Sequence, residues 1–402
     1  MKKFEELVSY DFSLHLLSQQ KWRGIGEFYV DALKSRGLIS ASEIVSSVDV
    51  PSSNRSAVDG YALLSKHTAG ASSSDPVLFK NVGTAYPGSP FTGNLEKGQC
   101  VEIYTGASVP DGTDSVVMAE DVNLKEDSVE ISSPALPVFN IIRKGEDIGK
   151  GQIILHQYDV IMPWHIAALL ANGIKAVRVY RKVRIGIIPT GNELFPDSEE
   201  IVENTTPAAI SSILRNTFFQ TLVFPPIHDN TDEISRTVSL NLSRVDMLII
   251  SGGSSLGMMD NVPEAMGTLK AKTVFGGVRT SPGRTTAVYS LNGKMILSVS
   301  GFPMTAMIMS DLYVENMLKI LFHMKNYRVL AEMMVDKSVN GKPGYMKLVP
   351  ASIVPGEDRK VHPLGSRHGI KISHMIGSDC LIIIPENIEG YKEGDNVLCR
   401  LW

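Results

Sequence analysis

Two short stretches of this 402-residue chain end in acids at places where ligand chemistry is done. Residues 184–194 read RIGIIPTGNEL, and residues 246–260 read DMLIISGGSSLGMMD. Each is an apolar run that stops at a glycine-containing turn with a carboxylate, Glu193 in the first and Asp260 in the second. An apolar run bounded by glycine is what a strand buried on both faces of a parallel sheet looks like. Open α/β sheets bind ligands beyond the carboxyl ends of their strands. Glu193 and Asp260 are therefore expected at one rim, where two carboxylates can share a hard cation or an anionic substrate's counter-ion.

Other segments supply the rest of a site. Thr190-Gly191 follows the first run, and a glycine there lets the backbone approach a ligand closely. The second turn holds Gly252, Gly253 and Ser254 among three glycines and three serines, and successive backbone N–H groups in such a loop form an anion nest. Thr280–Thr286 contains Ser281, Gly283 and Arg284, a hydroxyl, a glycine and a guanidinium suited to a tetrahedral oxyanion. Asn54–Ala62 with Asp59, Thr105-Gly106-Ala107, and Arg143–Asp147 are turn or charged-loop chemistry when each is taken alone. Asn204 precedes Thr205-Thr206-Pro207 at an expected helix start.

These residues need elements to hold them. Residues 1 to about 45 read as helical, with Leu16, Leu17, Ile25, Phe28, Val30 and Leu33 among polar residues. From Pro51 to about 145 the texture is rich in Gly, Pro and Ser around short β-type runs, which indicates a small all-β domain. Residues 160–172 return to helix, with Pro163 in its first turn and Asn172-Gly173 as its stop. Between about 180 and 325, apolar runs alternate with helical stretches, the pattern of a parallel, right-handed α/β sheet. Beyond about 330 the helical period is lost again, and a final small β-domain is expected.

Bulk properties exclude several classes. A net charge of −4 gives no global field for nucleic acid or anionic lipid. Cys100, Cys380 and Cys399 are scattered and odd in number, which argues against a disulfide framework or a zinc site. No run of about 18 apolar residues exists to span a membrane. A soluble, cytoplasmic protein with no nucleic-acid or membrane partner is the expectation.

Taken together and in order, the segments resemble the molybdopterin molybdenumtransferase family, the MoeA and gephyrin E-domain group. SAVDGYA, YTGASVPDGTDSVVMAED, RKGEDIGKG, PTGNEL and SGGSSLGMMD carry the resemblance over roughly residues 50–300. It implies a multi-domain α/β plus β fold in a dimerising subunit. A helical linker domain would span 1–50 and 145–180, and a small β-domain 51–144. An α/β molybdopterin-binding domain would span 181–328, and a C-terminal β-barrel 329–402. The implied reaction inserts molybdate or tungstate into adenylylated molybdopterin, with Mg²⁺ and release of AMP. The resemblance gives Asp59, Glu193 and Asp260 the catalytic positions, with Glu193 and Asp260 on the metal. Thr105, Asp147, Thr190, Gly191, Asn204, Gly252, Gly253, Ser254, Ser281, Gly283 and Arg284 take the substrate. A homodimer is implied, with other cofactor-biosynthesis proteins as further partners.

The chain departs from the family's pattern in three places. Asn192 replaces an acid, Ser281-Pro-Gly-Arg284 replaces a lysine-bearing loop, and Phe302-Pro303-Met304 replaces a Pro-Gly-Asn loop. Two readings follow: a metal-insertion enzyme, and a catalytically weakened paralogue that binds molybdopterin or acts as a scaffold. A generic nucleotide pyrophosphatase is the third class.

Overall fold

The computed structural model describes residues 7–126, 128–196, 203–215, 218–252, 261–324, 328–356, 359–365 and 370–402. The chain divides into two compact units, one of residues 29–36 and 40–178, the other of 1–28, 37–39 and 179–402.

The amino-terminal stretch corrects the helical expectation. Among the described residues of this stretch, α1 (Tyr10–Ser18) is the only α-helix, capped by the Ser9 hydroxyl, which accepts from the Phe12 N–H at 3.1 Å, and a single 3₁₀ turn follows at Ala32–Lys34. Short strands follow at Glu27–Asp31, Ile39–Ser40 and Ile44–Val45. The physical reason is visible in the sequence: Gly24, Gly26 and Gly37 break any 3.6-residue stripe, and Phe-Tyr-Val favours a pleated backbone.

The unit of residues 29–36 and 40–178 is built on six strands. They are β1 (Gly60–Leu63), β2 (Val77–Ala85), β3 (Gln99–Ile103), β4 (Ser115–Met118), β5 (Val122–Lys125) and β6 (Ser128–Ile131). Their order is β4-β1-β3-β2-β6-β5, antiparallel except for the parallel pair β2 and β3. Inward residues such as Leu63, Phe79, Val101, Ile103 and Ile131 are fully or almost fully buried. Helix α2 (Pro163–Ala171) has proline in its first turn and Asn172 as its C-cap, as the sequence indicates.

The second unit holds an α/β sheet and a barrel. Strands β7 (Val183–Pro189), β8 (Phe219–Val223), β9 (Met247–Ser251), β10 (Lys272–Phe275), β11 (Ala287–Leu291) and β12 (Lys294–Val299) lie in the order β8-β7-β9-β12-β11-β10. The first four are mutually parallel, as the strand–helix alternation predicts. The last two run the other way: the Asn292-Gly293 turn, a hairpin signal in the sequence, makes β11 and β12 an antiparallel hairpin, and β10 pairs antiparallel to β11, so the sheet is mixed rather than wholly parallel. Both residues of that turn have positive φ, the hairpin geometry Asn-Gly favours. Every residue of β9 and β12 is buried, which explains why these runs show no alternation.

Helices α3 (Thr206–Ile213), α4 (Thr231–Leu242), α5 (Asn261–Thr268) and α6 (Pro303–Phe322) complete that layer. Helix α4 buries Ile234, Val238 and Leu242 at four-residue spacing, each worth roughly 1.5–3 kcal/mol of apolar burial. Beyond it, β13 (Leu330–Val335), β14 (Met346–Ile353), β15 (Lys360–Pro363), β16 (Cys380–Ile384) and β17 (Asn396–Leu401) close on themselves. The order is β14-β15-β13-β17-β16, and pairing of β16 back to β14 makes a five-stranded barrel. Cys100, Cys380 and Cys399 are free and buried. Among the described residues, no helix is long and apolar enough to cross a membrane.

Candidate functional site

The carboxyl rim of the α/β sheet is assembled by backbone before any side chain acts. Past the end of β7, the Thr190 N–H still donates to Ser251 O at 2.8 Å, and Gly191 N–H to Ile227 O at 3.1 Å. The chain then turns into a single 3₁₀ turn, Asn192–Leu194, that folds the Glu193 carboxylate back over Gly191. A Cβ on Gly191 would collide with that carboxylate, so the glycine is the space in which Glu193 sits. Gly252, at φ +113°, lies so close to the Thr190 carbonyl oxygen that a Cβ there would overlap it. A Cβ built on Gly301 would stand 3.6 Å from the Gly252 Cα. Three strand ends are thereby drawn together by close backbone contacts.

A second carboxylate faces Glu193 at this rim. Asp229 follows β8, and its N–H donates to Asn192 Oδ1 at 3.1 Å, while Asn261 Nδ2 donates to the Asp229 carbonyl at 2.7 Å. Burial pushes the Asp229 carboxyl above its ordinary value, and the charge of Glu193 pushes it the same way; an Asn261 hydrogen bond opposes both. Asp229 Oδ1 is buried with no hydrogen-bond partner among the described residues, as are the Thr190 and Ser251 hydroxyls. Nearby, Phe195 stacks on His228 with centroids 3.7 Å apart.

Asp229 was not among the residues singled out from the sequence. Its segment, FPPIHDN, has no glycine run to mark it. The available signal was topological: β8 pairs with β7 in parallel, so the loop after it must open on the same rim. Asp260, Gly253 and Ser254, expected at this rim, lie outside the described residues.

The remaining predicted residues of this unit fall around the same end of the sheet. Because β11 runs antiparallel to β12, with Ala287 opposite Ser298, the loop carrying Ser281, Gly283 and Arg284 enters from the rim side. Gly283 packs against Met309 of α6, where a Cβ would clash, and the Arg284 side chain is exposed. Asn204 is half-buried just ahead of α3. Thr206 Oγ1 at the start of α3 donates to Gly301 O at 2.8 Å, tying that helix to the loop after β12. Met304 sits half-buried in the first turn of α6, and Gly301 is the small residue held against Gly252.

The other unit gathers its own set. Asp59 precedes β1, and its Oδ1 accepts from both the N–H and the hydroxyl of Thr105, each at 2.7 Å. Those two bonds hold its carboxyl below the usual range. Arg55 Nη1 donates to Gly106 O at 3.0 Å, and Lys144 N–H donates to Asn54 Oδ1 at 2.9 Å. Asp147 lies in the same 143–147 loop, its side chain exposed and its N–H on Val50 O at 3.1 Å. The loops at 53–59, 105–108 and 143–147 therefore form one polar cluster.

Among the described residues, no three His, Cys, Asp or Glu side chains converge to hold a metal. Glu193 and Asp229 are nonetheless a fitting pair for Mg²⁺, which commonly takes one or two carboxylates and fills its shell with water and phosphate oxygens. Two like charges at a partly desolvated rim also repel, and a cation relieves that repulsion.

Comparison with known proteins places these features in a family. The MoeA N-terminal region (domains I and II) matches residues 11–173, the probable molybdopterin binding domain 186–320, and the MoeA C-terminal region (domain IV) 334–402. A molybdopterin molybdenumtransferase of Staphylococcus epidermidis is 29% identical over 370 residues, covering 90% of this chain and 88% of its own. That of Staphylococcus aureus is 27% identical over 371 residues, with the same coverage. A solved structure of the molybdopterin biosynthesis MoeA protein of Pyrococcus horikosii superposes with a TM-score of 0.83 at 25% identity, covering 98% of this chain and 99% of that one.

Proposed function

This chain belongs to the MoeA family, and on that premise we propose that it is a molybdopterin molybdenumtransferase. The reaction we assign inserts molybdate or tungstate into the dithiolene of adenylylated molybdopterin, with Mg²⁺-dependent release of AMP. The observation that carries this reading is the pair of carboxylates, Glu193 and Asp229, at the strands' carboxyl ends, where Gly191 and Gly252 bring the backbone close.

The residues divide the work. Gly191 gives the Glu193 carboxylate its place, and Gly252 and Gly301 let the strand ends close together into the rim that would meet the pterin phosphate. The buried Thr190 and Ser251 hydroxyls, which have no hydrogen-bond partner among the described residues, are free to bond its oxygens. Glu193 and Asp229 would hold Mg²⁺, which supplies charge neutralisation at the phosphate oxygens of the cleaved link. Arg284 offers the oxyanion a forked donor. Asn192 keeps the carbonyl that positions Asp229 without adding a third negative charge. Asp59 and Asp260 keep catalytic roles beside Glu193 in the same reading, with Asp260 sharing the metal, and Thr105, Asp147 and Asn204 face the substrate, in a cytoplasmic homodimer. Catalysis here is positioning and electrostatics, so no side-chain nucleophile is needed.

A pterin-binding scaffold is favoured by one observation, the half-retained charge of the Ser281–Arg284 loop. The two readings separate cleanly. Incubation with adenylylated molybdopterin, Mg²⁺ and molybdate should release AMP, and Glu193→Ala should lower that rate by about 10²–10³-fold with an unchanged circular dichroism spectrum. Tight pterin binding without molybdate-dependent AMP release establishes the scaffold instead, and unchanged turnover in Glu193→Ala removes the carboxylate from the mechanism.

A further inference from the structure

The amino-terminal ends of the same strands, opposite the rim, carry a second concavity of about 280 Å³. Arg184 near the start of β7, Asp246 just ahead of β9 and Lys294 at the start of β12 line it, with Arg23, Arg181 and Arg244 around them. Five cationic side chains thus meet one carboxylate among the described residues of the lining, in a chain whose net charge is −4. A local excess against the sign of the whole molecule has to be built deliberately.

The lone acid is already spent. Arg181 grips Asp246 with both guanidinium nitrogens, Nη1 to Oδ2 at 2.5 Å and Nη2 to Oδ1 at 2.7 Å, and the Arg184 N–H donates to the same carboxylate at 2.8 Å. Lys294 is 7% exposed, and its Nζ donates to the neutral carbonyls of Leu242 and Val245 at 2.7 and 2.6 Å. Burial holds its ammonium below the usual lysine range; Asp246 opposes that, while Arg23 and Arg181 add to it. Arg23, Arg184 and Arg244 are exposed at the mouth, and Arg244 lies over the Phe224 ring with its Cζ 5.7 Å from the centroid. The Arg181–Asp246 pair is neutral as a unit, so the positive charge of Arg23, Arg184 and Arg244 stands uncompensated by Asp246 at the mouth, with the Lys294 ammonium buried behind them.

From this arrangement we infer that the pocket is a binding site for a phosphoryl polyanion, separate from the pterin rim. Guanidinium forks match tetrahedral oxyanions in pairs. The volume is below the roughly 300–1,000 Å³ of pockets that enclose drug-sized ligands, so a diphosphate group fits and a whole pterin nucleotide does not.

Titration of inorganic pyrophosphate into the full chain, followed by calorimetry in Mg²⁺-free buffer, tests the assignment. Saturable binding that weakens with added salt is expected, and the Arg23→Gln/Arg184→Gln double variant should lose at least about tenfold in affinity. Both side chains are exposed, so an unchanged melting temperature will show that the variant is folded. The same titration on Arg284→Gln, which removes the rim's forked donor, should keep the wild-type affinity. No binding by wild type, or equal binding by wild type and the double variant, overturns the site. Loss of binding in Arg284→Gln moves the anion to the rim and overturns it equally. The outcome is independent of whether the rim performs metal insertion.

Discussion

Asp229 is the residue whose surroundings cost the fold most directly at the rim. Its carboxyl is raised by burial first and by Glu193 second. A carboxyl raised on folding binds its proton more tightly in the native chain than in the unfolded one. Stability is therefore lost as pH climbs through its titration, above the ordinary carboxylate range near about 4. Asp229→Asn removes that loss. Thermal melts should show the variant more stable than wild type at pH 7, with the two converging near pH 3; equal melting temperatures at pH 7 refute the account. Legibility in the sequence follows the same physics. Glu193, Thr190, Gly191 and Gly252 could be read because a glycine turn after an apolar run leaves few other conformations. Asp229 could not, because only the pairing of β8 with β7 carries it to the rim.

Strand ends, rather than helices, hold the rim together, and Gly252 is where that matters most. Its φ of +113° suits no side chain well, and its Cα faces the Thr190 carbonyl. Gly252→Ala should lower stability by about 2–4 kcal/mol in urea titrations, through strain and backbone displacement. Gly267 in α5 is the control, since a Cβ there meets nothing within 4 Å. Gly267→Ala should be neutral or gain up to about 1 kcal/mol from helix propensity. Similar losses in both variants would mean that the contact with Thr190 is not what Gly252 serves. The parallel half of the sheet was readable from alternation, but the turn of β11 and β10 depends on the hairpin at Asn292-Gly293. The helical reading of residues 1–45 failed because apolar residues spaced by chance across three glycines imitate a stripe.

In the unit that contains both the α/β sheet and the barrel, the two are joined by charge as well as by apolar packing. Arg400 of β17, 3% exposed, pairs with Asp311 and Glu315 of α6 at 2.5 and 2.7 Å. Arg328 reaches Asp311 at 3.1 Å, and Lys319 reaches Glu315 at 3.5 Å. Removing one member of a buried network leaves a partner desolvated and under-compensated. Arg400→Met should therefore cost about 3–5 kcal/mol, measured by chemical denaturation. A loss under about 1 kcal/mol would show that Arg328 and Lys319 suffice. None of this was visible in the sequence, because acids in a helix and an arginine in a distant strand look like surface residues until the fold buries them.

The position of that arginine has a temporal meaning. A ribosome lays down Glu315 85 residues before it adds Arg400. Until then the two acids of the emerging helix have Arg328 and Lys319 as their partners from this network. The last strand of the barrel thus brings the final counter-charge to a helix synthesised well ahead of it.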